Sequence, residues 1–325
     1  MIDKNDATIV VGETGSGKTT KIPQYLYEVG YTATSRIALT LPKRISVLNI
    51  ASRLAFNINS IVGQEVGYSI SFEAKYSAQT KIKVMTDGML VREMLLDPLL
   101  TAYSVVMVDD CHERSMYTDL LLGLLKKVWK KRKDLKVIVS SATIDAEKYK
   151  QFFESGGYKA QILEIKGRMY PVELYYLDQP CKNYVQKALE TLCLIHRNNA
   201  INGDVLVFMT GFEEINRFLK LFSQLQSEQL LKDNVYALPL YAGLGITKQM
   251  EVFKPAPYGK RKVIVSTNIA ETSITIDNIA YIIDCCFVKM KFFDPSTGIP
   301  SLTLHRYGES YCYSCFTISM RSTCR

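Results

Sequence analysis

The chain has 325 residues, 47% of them hydrophobic, which is enough apolar mass to bury two ordinary cores. Charged residues make up 22% and no low-complexity tract is present, which excludes long disorder; the net charge of +8 fits an anionic partner such as nucleic acid without demanding one. No apolar run approaches the ~20 residues that cross a bilayer. The eight cysteines are scattered and fit no disulfide framework, so reduced thiols in a nuclear or cytosolic compartment are expected.

The first predicted strand covers residues 7–11. It runs into Gly12, Glu13, Thr14, Gly15, Ser16, Gly17, Lys18 and Thr19, a match to G-x-x-x-x-G-K-[ST] without a gap, and a helix is predicted over 20–29, opening at Thr20. Glycines let successive backbone N–H groups turn inward onto phosphate oxygens, and the helix N-terminus adds positive potential. Lys18 is placed to reach the outer phosphates and Thr19 to put its hydroxyl on Mg²⁺. The alternative is a Gly-rich turn without a ligand, against which both flanking elements argue.

Further strands are predicted at 36–41, 81–85, 103–108 and 136–140, apolar on both faces as buried parallel strands require. Helix-length patterns at 90–96 and 119–129 separate them, so a doubly wound parallel α/β sheet follows. The strand at 103–108 runs directly into Asp109, Asp110, Cys111 and His112. Asp109 suits the Mg²⁺ ligand that such a loop needs, and Asp110 is placed to orient or deprotonate the attacking water. A polar turn is the plainer account of two adjacent acids. The basic run KKVWKKRKDLK (126–136) could serve as an import signal or a nucleic-acid patch. It reads as the solvated end of an amphipathic helix whose buried face is Leu121, Leu122, Leu124, Leu125 and Val128.

The pattern breaks over 155–177. A second set of strands follows at 204–209, 234–238, 262–266 and 281–284. Two α/β domains are expected, 1–166 and 167–302, followed by an atypical tail, 303–325. Residues 289–302 read as two β-rich arms around Asp-Pro-Ser-Thr-Gly, a turn signal.

GETGSGKTT, TLPKR (40–44), TDGML (86–90), DDCHER (109–114), SSAT (140–143), LVFMTG (206–211), YAGL (241–244) and STNIAETSITID (266–277) together resemble the DEAH-box (DEAH/RHA) helicases of superfamily 2, in that family's order and over nearly the whole chain from 7 to about 301. The resemblance implies two tandem RecA-like domains, ATP as substrate with Mg²⁺ bound between them, and single-stranded RNA held by its backbone across both. It implies Lys18, Asp109, Asp110 and His112 as catalytic groups. Arg53 and Phe253 would sandwich the base, and Asp277 would meet the ribose. RNA contacts would come from Thr40, Lys43, Arg44, Thr86, Thr210 and Thr267, and Ser141 and Thr143 would couple nucleotide state to domain movement. It also suggests the pre-mRNA splicing branch, a ribonucleoprotein partner and a nuclear location, with the cytoplasm open. A hairpin at 289–302 would help part nucleic-acid strands, or be a surface hairpin without that task.

The sequence departs from the family in three respects. The second acid is Asp110 where the family has Glu, one methylene shorter, and a misplacement of that size costs ~10²-fold in rate. The arginine motif QRxGRxGR is absent; Arg306, Arg321 and Arg325 do not reproduce its spacing. The third departure is an expected second domain that stops short, with no winged-helix, ratchet or OB-fold domains; impaired hydrolysis is expected from the first two. The alternative is a non-hydrolysing ATP- and RNA-binding fragment or truncated isoform. A kinase or GTPase lacks a recognition signature here. Cys312, Cys315, Cys324 and His305 make a poor zinc set.

Overall fold

The structure, a computed structural model, describes residues 2–13, 15–142, 146–167, 172–179, 181–198, 203–231, 234–271 and 274–306. The chain divides into two compact units, Met1–Arg168 and Met169–Arg325.

The first unit contains strands β1 (Ala7–Gly12), β2 (Arg36–Leu41), β3 (Val66–Ile70), β4 (Glu73–Lys75), β5 (Ile82–Thr86), β6 (Tyr103–Val108), β7 (Lys136–Ser141) and β8 (Ala160–Ile165). They form one sheet in the order β4-β3-β5-β2-β6-β7-β1-β8, parallel except where β4 pairs antiparallel with β3. Helices α1 (Lys18–Val29), α2 (Arg44–Asn57), α3 (Asp87–Leu96), α4 (Met116–Lys131) and α5 (Ala146–Glu154) make the crossovers. Central strands are buried at nearly every position, as the apolar runs dictate, and Ile9, Val106, Val137 and Leu121 meet in one core.

In the second unit, α6 (Tyr184–Asn198) precedes β9 (Asp204–Phe208), α7 (Phe212–Ser227), β10 (Val235–Leu240), α8 (Ile246–Met250), β11 (Arg261–Ser266) and β12 (Ile279–Asp284). Its sheet runs β10-β11-β9-β12, all parallel. Val205, Val207, Val263 and Val265 pack against Leu189, Leu192 and Phe218 from α6 and α7. A separate antiparallel hairpin, β13 (Phe287–Phe293) and β14 (Pro300–Arg306), closes around Asp294, whose side chain accepts the Ser296 N–H at 2.9 Å and the Thr297 hydroxyl at 2.9 Å.

Where the elements differ from the expectation, the cause is local. The broken stretch 155–177 contains β8, an edge strand parallel to β1 whose half-exposed pattern hides its apolar character. β3 carries Gly67 and Ser69, which weaken its strand signal, yet only glycine fits there: a Cβ at 67 would lie 2.9 Å from the Lys75 carbonyl oxygen. The hairpin is longer than its arms suggest, because its pairing extends to Phe287 and Arg306. The basic run does cap an amphipathic helix: Leu121, Leu122, Leu125 and Val128 of α4 are buried. Among the described residues no helix is long and apolar enough to cross a membrane.

Candidate nucleotide and RNA site

The carboxyl ends of β1, β7 and β6 lie side by side, the place where open parallel sheets receive ligands. From β1 the chain turns through Gly15 and Gly17, both with positive φ (77° and 89°), and enters α1 at Lys18. Only residues without a side chain take that turn at no cost. Gly12 is needed for another reason: a Cβ there would sit 2.9 Å from the Ile165 carbonyl oxygen. Lys18 is buried, and its Nζ donates to the carbonyls of Gly12 and of Glu13, the latter at 2.8 Å. Burial lowers its pKa, opposed by the charges of Asp109 and Asp110. Ser16 closes the loop, donating to the Glu13 carbonyl at 2.7 Å. Thr20 Oγ1 reaches the Gly17 carbonyl at 3.4 Å.

Asp109 follows β6 and is fully buried. Its Oδ1 accepts the Ser140 hydroxyl and the Asp110 N–H, while its Oδ2 has no hydrogen-bond partner among the described residues. Burial and the neighbouring Asp110 charge push its pKa well up, against the Thr19 hydroxyl, the Lys18 charge and the Asp110 N–H. A buried carboxylate with one idle oxygen is costly unless a cation completes it. The donor set (Asp109 carboxylate and Thr19 hydroxyl, both hard oxygens) fits Mg²⁺.

Asp110 is almost buried and takes a left-handed conformation, φ 52°, ψ 38°, uncommon for a residue with a side chain. It starts the short 3₁₀ turn Cys111–Glu113, whose Cys111 is buried in the core. His112 Nδ1 accepts the Ala142 N–H at 3.4 Å, so the acidic segment touches the SSAT segment here and at Ser140. Ser140 was not singled out from sequence. Strand alternation lets one of the two serines meet Asp109, and the sequence does not say which. Ser141 lies at the end of β7 opposite Val11. Thr14 and Thr143 lie outside the described residues.

The expected RNA contacts also gather at strand ends, although not equally exposed. Leu41 and Thr86 are register neighbours on β2 and β5, which brings TLPKR beside TDGML. Arg44 is exposed at the start of α2, and Thr86 is half-buried at the N-cap of α3. Lys43 forms a 3.0 Å ion pair with Glu113 of the acidic segment. Thr40 is fully buried, so in this conformation it does not offer its hydroxyl to a polyanion. Near it Asp87, at the start of α3, accepts the Thr118 hydroxyl at 2.5 Å; burial raises its pKa, opposed by the hydroxyls of Thr118 and Thr40. In the second unit Thr210 and Thr267 follow the adjacent strands β9 and β11. The Thr210 hydroxyl pairs with Tyr184 at 3.0 Å and borders a small pocket with Asn268, Glu271, Asp284 and Lys289. Thr267 caps the 3₁₀ turn Asn268–Ala270. Arg53 is half-buried on α2; Phe253 is half-buried at the end of the 3₁₀ turn Glu251–Phe253, and Asp277 is exposed. Residues 307–325, with Arg321, Arg325 and the three tail cysteines, lie outside the described residues; among the described residues no group of three or more His, Cys, Asp or Glu could hold a metal ion.

Residues 1–152 match the family described as DEAD/DEAH box helicase, and residues 185–308 match the helicase conserved C-terminal domain. The human protein named probable ATP-dependent RNA helicase DHX35 is 45% identical over 316 residues, which cover 94% of this chain and 45% of that protein. The pre-mRNA-splicing factor ATP-dependent RNA helicase prp22 of Schizosaccharomyces pombe is 46% identical over 337 residues, 98% of this chain and 28% of that protein. The crystal structure of the Escherichia coli DEAH/RHA helicase HrpB aligns with a TM-score of 0.83 at 33% identity, covering 98% of this chain and 39% of that one. The chain thus spans less than half the length of each.

Proposed function

Because the chain belongs to the DEAH-box helicases, with their two tandem RecA-like α/β units, we propose that it binds Mg-ATP and RNA and hydrolyses ATP slowly. The observation that carries the reading is the buried Asp109 with its unpartnered Oδ2, beside Lys18 and Thr19 at the end of β1. In this reading the loop N–H groups and Lys18 hold the phosphates, exchanging the Gly12 and Glu13 carbonyls for phosphate oxygens. Thr19 and Asp109 hold Mg²⁺, which when bound offsets phosphate charge. Ser140 keeps Asp109 in place. Arg53 and Phe253 take the base by its π-face, so selectivity among bases is poor. Asp277 takes the ribose. Lys43, Arg44, Thr86, Thr210 and Thr267 meet the RNA backbone, which makes binding independent of sequence.

The domain boundaries proposed are 1–166 and 167–302, with 303–325 as a tail whose first residues, 303–306, continue β14. By likeness to the splicing factor prp22, a pre-mRNA ribonucleoprotein is the proposed setting and the nucleus the proposed location. Slow turnover is assigned to Asp110, whose carboxylate is one methylene short of a Glu, and more heavily to the absent arginine motif. The test is phosphate release with and without RNA. RNA-stimulated release that Lys18→Ala abolishes supports the hydrolase; release no greater than in Lys18→Ala, with nucleotide still bound, leaves the second reading, a non-hydrolysing ATP- and RNA-binding module. In that second reading Asp110→Glu alone rescues little turnover; a rescue of about 10²-fold refutes the idea that the missing arginines are limiting.

A further inference from the structure

At the start of β11 two cations lie out of water: Arg261 is fully buried and Lys262 is 2% exposed. Arg261 is held by the sheet end, its Nε donating to the Gly203 carbonyl at 3.1 Å and its guanidinium 5.5 Å from the Tyr281 ring centre. Lys262 reaches elsewhere. Its Nζ donates to the carbonyl of Val252 at 2.8 Å and to that of Lys254 at 2.8 Å. These residues flank Phe253, in the 3₁₀ turn Glu251–Phe253. The ammonium also forms an ion pair with Asp204, whose Oδ2 lies 3.7 Å away, beyond hydrogen-bond distance.

Asp204 is fixed from two further directions. Its Oδ1 accepts the Lys262 N–H at 2.9 Å, and its own N–H donates to the Asn278 carbonyl at 2.7 Å. Asn278 directly follows Asp277 and holds a left-handed conformation, φ 69°. One buried ion pair therefore bonds the chain on both sides of Phe253 and next to Asp277. A methionine of similar length would fill the same space without the desolvation cost of a buried charge. What it could not do is hold two carbonyls that point inward from one short turn.

We infer that Lys262, with Asp204, is a positioning residue for the nucleotide: it fixes the turn that presents Phe253 and, through Asn278, the residue that meets the ribose. The inference rests on the nucleotide reading above. Lys262 is a second-unit group that sets affinity for the base and ribose alone.

Calorimetric titration of the full chain with Mg-ATP and with magnesium tripolyphosphate, which has phosphates but neither base nor ribose, separates the two contributions. Lys262→Met is expected to weaken ATP binding about tenfold, within the range of base–aromatic stacking, and to leave tripolyphosphate affinity unchanged. Adding Phe253→Ala should then cause no further loss, because the ring is already out of place. A folded Lys262→Met protein that keeps the wild-type ratio of ATP to tripolyphosphate affinity overturns the inference, as do losses from Lys262→Met and Phe253→Ala that simply add. If circular dichroism shows that Lys262→Met does not fold, Asp204→Asn decides: a lowered ratio supports the inference and an unchanged one overturns it. Wild-type protein that binds tripolyphosphate and ATP equally removes the role given to Phe253, and this inference with it, while the phosphate site stands. Wild-type protein that binds neither removes the nucleotide site itself.

Discussion

Asp109 and Asp204 are both buried carboxylates at the end of a central parallel strand, one in each unit. Asp204 stands at the amino end of β9; its Oδ1 takes a backbone N–H, and its Oδ2, like that of Asp109 without a hydrogen-bond partner among the described residues, is matched by an ion pair with the Lys262 ammonium 3.7 Å away. Asp109 follows the carboxyl end of β6 and is left incomplete, with Oδ2 unpartnered and Lys18 turned onto loop carbonyls instead. Burial alone does not separate a structural carboxylate from a ligand-binding one. The separation lies in whether the protein supplies the counter-charge or leaves it to be supplied.

That contrast makes its strongest claim about stability. Asp204→Ala strands Lys262 in the core and is expected to cost roughly 3–5 kcal/mol of unfolding free energy in the second unit, the usual penalty for breaking a buried pair. Asp109→Asn should do the reverse for the unliganded protein. It relieves a buried charge that the Lys18 ammonium and nearby hydrogen bonds offset only in part, and raises the melting temperature, by roughly 2–4 °C for each ~1 kcal/mol recovered. The same variant should lose about 100-fold in Mg-nucleotide affinity, as disruption of a metal site does. Differential scanning calorimetry with and without Mg-ATP reads both, and an Asp109→Asn protein less stable than wild type without ligand would break the comparison.

A smaller effect sharpens it. Asp87 has one oxygen on Thr118 and the other without a hydrogen-bond partner among the described residues, and its pKa is raised by burial. A raised carboxyl pKa means that the native state keeps a proton which the unfolded chain has released. Its contribution to stability is therefore full below the unfolded value near ~4 and declines as pH rises through the native value. Urea unfolding across that window should show a shallower decline in Asp87→Asn than in wild type, by about 1 kcal/mol.

Much of this was legible in the sequence because it depends on strongly local signals. The Gly12–Thr19 loop declares itself by spacing, and β2, β6 and β7 by unbroken apolar runs. What stayed hidden depends on contacts between distant segments. β8 is an edge strand with a mixed pattern, and no spacing rule brings Ser140 rather than Ser141 to Asp109. Lys43 is an expected RNA contact, yet it is engaged by Glu113. Thr40 looked like a strand-end hydroxyl, yet it is buried. Lys262 read as the first residue of a strand, and its two carbonyl partners lie ten and eight positions earlier.

The central claim is that Asp109 and the Lys18 loop together form a magnesium-triphosphate site. Titration of ATP into the protein with and without Mg²⁺ tests it most directly, with Lys18→Ala alongside. Affinity that rises at least about tenfold with Mg²⁺ and disappears in Lys18→Ala is the expected result. Folded wild-type protein whose ATP affinity ignores both the metal and Lys18 would contradict it.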